Sequence, residues 1–311
     1  MDMPVKLAKM AMGAFPRVVS PDDSSHAAFF EPSHLSKLTQ GNIDSAMYAA
    51  SHNRCLAEEA NPFLEQFFPN SVEQYFRDKR VLDFGCAFGG TAVAWEKMYG
   101  TKQICGFDVP QIFIDGANRY AKVVGSKADF RQGVGEKAPF SDGEFDTIVA
   151  IDVFEHVYDV EKCLKDCWRM LAPNGHLIAI FPTFYHPFEH HLKVSRTPLV
   201  HYFFSGKTLR KALNEILEGR GPDFLHFQAD DNPNYKIPDL NGITVGGARK
   251  IIRDQKWEVV RNENYGWPRV GRRAQSRPMK LISRCNSIFA GVPVLSEFFL
   301  DRVAVILRKS Q

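Results

Sequence analysis

Two groups of residues have the types and spacing to do chemistry. The first is the run Arg80-Val-Leu-Asp83-Phe-Gly85-Cys86-Ala87-Phe-Gly89-Gly-Thr91, followed by Ile104-Cys-Gly-Phe-Asp108-Val109. An apolar strand leads into a glycine turn, a helix follows, and the next strand ends on a carboxylate. In a parallel α/β sheet that order grips a nucleoside: the turn admits the ligand, free N–H groups of the helix start face it, and the acid accepts from the ribose hydroxyls. The second group is Tyr185-His186-Pro-Phe-Glu189-His190-His191-Leu with Val200-His201-Tyr, which gathers four of the ten histidines just beyond an apolar strand. Histidine titrates near neutrality, so a general base for an acceptor hydroxyl belongs among them, His191 first, then His190 and His186.

The glycine order narrows the nucleoside. A dinucleotide fingerprint G-x-G-x-x-G is only partly supplied by Gly85, Ala87 and Gly90, whereas Asp83-x-Gly85-x-Ala87-x-Gly89 resembles the first motif of class I S-adenosylmethionine-dependent methyltransferases, acid-x-Gly-x-Gly-x-Gly, with Ala87 in place of its middle glycine. Pro139-Phe140 to Asp146, then Thr147-Ile-Val-Ala-Ile-Asp152-Val-Phe-Glu155-His156, is similar to the fourth-strand region of that family's ubiquinone-type branch. Arg169-Met-Leu-Ala-Pro173-Asn-Gly175 to Ile180 is similar to its helix, turn and fifth strand. The resemblance covers roughly residues 75 to 183. It implies S-adenosyl-L-methionine as cofactor, held by Asp83, Gly85, Cys86, Ala87, Gly89, Asp108 and Val109, with Asp152 lining the pocket. The acid that the family often carries after the third strand is missing; Val134 and Gly135 would meet adenine through main-chain N–H groups, with Glu136 or Gln132 as substitute side chains.

Around these residues the chain alternates strands near 80 to 85, 103 to 109, 128 to 134, 145 to 153 and 175 to 182 with helices near 91 to 99, 112 to 124 and 160 to 171. Strands joined by helical crossovers predict an α/β protein with a doubly wound, mostly parallel sheet. A helix near 246 to 256, a strand from Trp257 and a last strand Arg302 to Arg308 would complete seven strands, the Rossmann-like methyltransferase fold, with a lid insertion after the fifth strand. Boundaries follow: an arm or lid segment at 1–45, a cofactor-binding core at 46–183, a lid forming the acceptor pocket at 184–244, and completion of the sheet at 245–311. Residues 44 to 76 should form two helices broken at Asn61-Pro62, while residues 1 to 45 show no clear periodicity.

Composition bounds the alternatives. The 311 residues are 44% hydrophobic and carry a net charge of only +3, so no global field draws nucleic acid or membrane. The stretch Arg269 to Arg284 has six basic residues and no acid and reads chiefly as a solvated face, with phosphates, an anionic sugar or a membrane surface as the alternative. Six scattered cysteines form no framework, Cys163 and Cys167 read as one buried helix face, and no metal site is expected; His186, Glu189 and His190 lack a distal ligand. There is no secretory start and no run of 18 apolar residues, so the expected compartment is the cytoplasm.

The expected activity is methyl transfer from S-adenosylmethionine to a small molecule or glycan, at oxygen, with a lid histidine as base. Asp152, Glu155 and His156 follow the fourth strand and should border the methyl donor and acceptor; Glu155 and His156 read as well as residues that cap or pack the following loop. The seven aromatics from Phe181 to Phe204 suit a ring-bearing acceptor. Alternatives are N- or C-methylation, a non-catalytic S-adenosylmethionine-binding partner subunit, and, more remotely, a nicotinamide-dependent oxidoreductase.

Overall fold

The computed structural model describes residues 3–16, 43–192, 194–220, 235–268, 276–293 and 295–310. The alternation read in the sequence is realised. Strand β1 (Arg80–Phe84) is followed by helix α3 (Gly90–Tyr99), β2 (Gln103–Asp108), α4 (Gln111–Val124), β3 (Asp129–Gln132), β4 (Phe145–Ile151), α5 (Val160–Met170) and β5 (Leu171–Phe181). The chain closes with α8 (Val245–Asp254), β6 (Glu258–Glu263), α9 (Arg277–Ala290), the single turn α10 (Ser296–Phe299) and β7 (Val303–Arg308). The seven strands lie in the order β3-β2-β1-β4-β5-β7-β6. β1 to β5 are parallel, and β7 runs antiparallel to both β5 and β6, so the sheet is mostly parallel with one reversed strand.

Successive strand residues face opposite sides of the sheet. Leu82, Phe84, Ile148, Ala150, Leu177, Ala179, Val305 and Leu307 fill one core layer, while Val81, Val149, Ile178, Ile180, Ala304 and Ile306 fill the other. Helix α5 shows how the sequence sets one wall. Asp159 caps it by accepting the Lys162 N–H, Arg169 sits in its last turn, and Cys163, Leu164, Cys167 and Met170 share the buried face. Cys163 and Cys167 are fully buried core residues, and burial pushes both thiols up.

Before the sheet, helices α1 (Met3–Ala14) and α2 (Ile43–Ala60) and two 3₁₀ turns, Leu64–Gln66 and Glu73–Tyr75, cover one side. One α-helix and two short turns thus stand where two helices were expected. α2 meets the start of α3 at Gly90, where a Cβ would lie 2.1 Å from the Ser51 carbonyl oxygen. Backbone on the far side cannot retreat, so Gly90→Ala is expected to cost about 2–3 kcal/mol in denaturant unfolding. Unchanged stability would mean that α2 does not seat there.

After β5, residues 184 to 244 include α6 (Val200–Phe203) and α7 (Gly206–Glu218). The insertion therefore has a helical core of its own, which its aromatic-rich sequence concealed. Val5, Ala8 and Met12 of α1 pack with Leu209, Ala212, Leu213 and Leu217 of α7, together with Phe88, Phe113 and Phe184. Thr197 Oγ1 donates to the Ala11 carbonyl at 2.7 Å, and the Arg196 N–H to Phe15 at 2.7 Å. The first described residues and the insertion thus form one layer, although residues 1 to 45 carried no evident periodicity. Residues 269–275 of the basic stretch lie outside the described residues; Arg277, Lys280 and Arg284 are exposed on α9. Among the described residues, no helix is long and apolar enough to cross a membrane.

Candidate active site

The strand order reverses between β1 and its neighbours β2 and β4, and the loops at the carboxyl ends of these strands frame the crevice where an open α/β sheet binds ligands. The turn after β1 has the expected form. Gly85 and Gly89 take φ of 80° and 73°, and the N–H groups of Gly85 and Cys86 both donate to the Phe107 carbonyl at 3.0 Å, tying the turn to β2. A Cβ on Gly85 would lie 2.5 Å from Val153 Cγ2. Ala87 keeps the turn by adopting φ 45°, a left-handed conformation that disfavours side chains by about 1–2 kcal/mol. Its N–H donates to Asp108 Oδ2 at 2.8 Å, and Asp108 Oδ1 accepts the Val109 N–H at 2.7 Å. Asp108 therefore organises the turn as well as ending β2. Burial raises its carboxyl, with the two N–H donors opposing.

Asp83, near the carboxyl end of β1, is buried. Desolvation lifts its carboxyl to about 7, against the pull of Arg54 and with a further push from Asp108. Arg54 comes from α2 and donates to Thr91 Oγ1 at 2.9 Å; Ser51 Oγ donates to the Phe88 carbonyl at 2.8 Å, so α2 braces the turn directly. Cys86 is buried beside it. After β2 and β3, Val109 and Val134 are exposed, whereas Gly135 is buried against Phe84 and Cys163. Glu136 points elsewhere: its Oε1 accepts the N–H groups of Tyr158 and Asp159 at 3.1 and 3.0 Å, fastening the loop after β4. Gln132 donates to the Val109 carbonyl at 3.0 Å.

A second cluster lies at the carboxyl end of β4, facing the insertion. Asp152, in a left-handed conformation at φ 52°, accepts from Arg302 Nε at 2.9 Å. Arg302, at the mouth of β7 and 7% exposed, also pairs with Asp301 at 2.6 Å and lies 3.8 Å from Glu189 of the insertion. Burial alone would lower the Arg302 guanidinium, but Asp152, Asp301 and Glu189 outweigh it and raise it. Burial likewise works to raise Glu189, yet the neighbouring His191 and Arg302 hold it below the usual carboxylate range.

The histidines divide. His186 Nδ1 accepts the N–H groups of Phe188 and Glu189 at 3.2 and 3.1 Å. His190 has one nitrogen accepting the Leu192 N–H at 3.2 Å and the other 3.0 Å from the Thr197 carbonyl, so both are engaged by the insertion's own main chain. Burial lowers both rings, His190 to about 4. His201 Nε2 is 2.8 Å from the Phe184 carbonyl. His191 differs: it is half-buried, its Nε2 lies 3.7 Å from Glu189, and its ring lies tilted by 32° against His156 with centroids 5.0 Å apart. The grouping of His186, Glu189 and His190 weighed in the sequence is thus taken up by the loop.

His156 Nδ1 is 2.8 Å from the Asp239 carbonyl, which can only accept, so Nδ1 carries the hydrogen and Nε2 is left with its lone pair. Burial lowers this ring to about 4. Glu155 is 3% exposed, its Oε1 3.8 Å from His156 Nε2, and burial followed by Asp152 raises its carboxyl. One donor atom each from Glu155, His156 and His191 lies within 4.8 Å of the others, a group that could hold a metal ion. The sequence put Glu155 and His156 beside the methyl donor and acceptor, with loop packing as the competing reading, but did not pair them with His191 and missed Arg302. The signal was the unbroken run Asp152 to His156 at a strand's carboxyl end, and the Asp301-Arg302 pair at the start of a strand.

Comparisons with known proteins agree with this architecture. Residues 82–179 match the family model described as a methyltransferase domain. The chain is 30% identical over 160 residues to norajmaline N-methyltransferase of Rauvolfia serpentina, covering 51% of this chain and 50% of that one. It is 33% identical over 112 residues to a ubiquinone biosynthesis O-methyltransferase of Maricaulis maris, covering 36% of this chain and 43% of that one. The chain thus spans about half the length of these curated relatives or less. Among solved structures, an S-adenosylmethionine-dependent methyltransferase from Mesorhizobium loti superposes with a TM-score of 0.50 at 14% identity, covering 82% of this chain and 99% of that one, a likeness of fold. Residues 82–179 are thus a methyltransferase domain, similar to that of class I S-adenosylmethionine-dependent methyltransferases.

Proposed function

We propose that the protein transfers the sulfonium methyl of S-adenosyl-L-methionine to a hydroxyl of a small molecule or glycan bound beneath the insertion at 184–244. The observation that carries this reading is adjacency. The glycine turn with Asp83 and Asp108 lies at the ends of β1 and β2, and the Asp152, Glu155, His156 and His191 group lies at the end of the neighbouring β4. In this reading Gly85, Cys86, Ala87 and Gly89 make room for the cofactor's main-chain contacts, Asp108 accepts from its ribose, and Val109, Val134 and Gly135 border its adenine. Asp152 lines the pocket, and Glu136 contributes by fixing the loop beside it. The cofactor supplies an activated methyl group, so the protein's task is alignment and removal of the acceptor's proton. His191 is the base, its ring held between Glu189 and His156.

Asp83 suits the cofactor's ammonium, which favours the ionised carboxylate. Because the free carboxyl titrates near about 7, binding at lower pH must expel a proton. Cofactor Kd is therefore expected to rise about tenfold per pH unit below pH 7 and to level off above it. Without cofactor the sign reverses. A carboxyl raised from 3.8 lowers stability as pH climbs through that window, by up to about 4 kcal/mol at 1.36 kcal/mol per unit. Titration calorimetry from pH 5.5 to 8 checks this, and a flat Kd contradicts it.

N-methylation is the second reading, supported by the norajmaline N-methyltransferase relative. Incubation with S-adenosylmethionine and a panel of phenols, sugars and amines decides between them. S-adenosylhomocysteine released with an O-methylated product supports the first, and an N-methylated product the second. Tight cofactor binding without release for any acceptor favours a non-catalytic partner subunit.

A further inference from the structure

We propose that Glu155, His156 and His191 bind one divalent cation of the zinc type, bridging the end of β4 to the insertion. The first support is the donor set. Two imidazoles and one carboxylate with room for a fourth ligand is the composition of an open, catalytic zinc position. Imidazole nitrogens suit zinc, copper, iron or nickel, whereas magnesium, calcium and manganese prefer oxygen shells. The donor atoms already lie within 4.8 Å of one another, and Glu155 Oε1 to His156 Nε2 is 3.8 Å. Around a tetrahedral ion with bonds of about 2.0–2.1 Å, ligand atoms stand about 3.3 Å apart, so Glu155 and His156 need to close by about half an ångström and the widest pair by no more than about 1.5 Å, within reach of side-chain rotation.

The second support is independent of the clustering. Glu155 is 3% exposed, and among the described residues neither of its carboxylate oxygens has a hydrogen-bond partner. Leaving a buried polar group unpaired is costly, and a cation satisfies the carboxylate directly. The third is orientation. The Asp239 carbonyl fixes the hydrogen of His156 on Nδ1, leaving Nε2 toward Glu155, which is how a ligating histidine is held from behind. Glu189 stands 3.7 Å from His191 and is itself 3.8 Å from Arg302, so the insertion's ligand is braced against β7.

The cation's role rests on the methyltransferase reading; its binding does not. An acceptor hydroxyl taking the open position would release its proton to solvent near neutral pH. Its oxygen would then form the bond to the methyl carbon as the carbon–sulfur bond breaks, with that electron pair remaining on sulfur. His191 would then act on the acceptor's proton through the cation it ligates, so the loss of turnover expected for His191→Ala is the same.

The test uses the full chain, stripped with chelator, dialysed, and titrated with zinc chloride by calorimetry, with metal content read by mass spectrometry. One zinc per chain is expected, with affinity falling on the order of 100-fold or more in Glu155→Gln and in His191→Ala, since loss of groups merely supporting a ligand costs 10–100-fold. Cobalt(II) gives a second readout on the same protein, visible absorption bands of a four-coordinate site that weaken in each variant. No stoichiometric zinc in the wild type, or undiminished zinc in both variants, overturns the proposal. S-adenosylmethionine titrated into the same samples separates the two ideas. Cofactor binding without zinc leaves the methyltransferase reading standing and removes the metal, whereas zinc without cofactor does the reverse.

Discussion

His191→Ala is expected to lower kcat by about two to four decades while leaving the Kd for S-adenosylmethionine nearly unchanged. The expectation follows from where the histidines sit. His186, His190 and His201 each have ring nitrogens against main-chain groups of the insertion. His191 instead lies tilted against His156 beside the buried Glu155, at the end of β4. Loss of its imidazole would remove the group proposed to handle the acceptor's proton, whereas the Gly85 to Gly89 turn is held by its bonds to Phe107 and Asp108. His190→Ala should act differently, by releasing the Thr197 and Leu192 main-chain groups, and so lower stability more than turnover. Steady-state kinetics alongside calorimetric cofactor binding separates the two variants. Wild-type turnover in His191→Ala would remove the residue from the reaction.

Asp108→Ala should weaken cofactor binding by at least about 2 kcal/mol, roughly thirtyfold in Kd, with little effect on any metal binding. Two losses combine. The ribose hydroxyls lose their acceptor, and the Ala87 N–H, which donates to Asp108 Oδ2 at 2.8 Å, loses the bond that holds its left-handed conformation. Asp108→Asn distinguishes the contributions, because its amide retains one acceptor oxygen and so should fall between wild type and alanine. Equal affinities for wild type and Asp108→Ala would disprove the ribose assignment.

The strands and helices between Arg80 and Phe181 were legible because each carries a periodic apolar pattern ended by a glycine or a cap. Gly89 and Gly100 bracket α3, and Asp159 opens α5. The glycine turn was equally legible, including Ala87, whose left-handed backbone the motif demands. The insertion was not. Its helix α7 hides its apolar face against α1, a partner nearly two hundred residues earlier in the chain, and long-range pairing leaves no local signature. The ambiguity among four nearby histidines had the same origin. Only folding reveals that three of them bond to their own loop and that the fourth meets His156. Arg302 escaped notice because a charge at the mouth of a strand looks solvent-facing until Asp152 and Glu189 are brought to it.

The central claim is that the crevice at β1, β2 and β4 holds S-adenosylmethionine. Titration calorimetry of the full chain with S-adenosylmethionine at pH 8 tests it most directly. One bound molecule per chain, displaced by S-adenosylhomocysteine and weakened in Asp108→Ala, is the expected result. No binding, or binding that Asp108→Ala leaves intact, would contradict it.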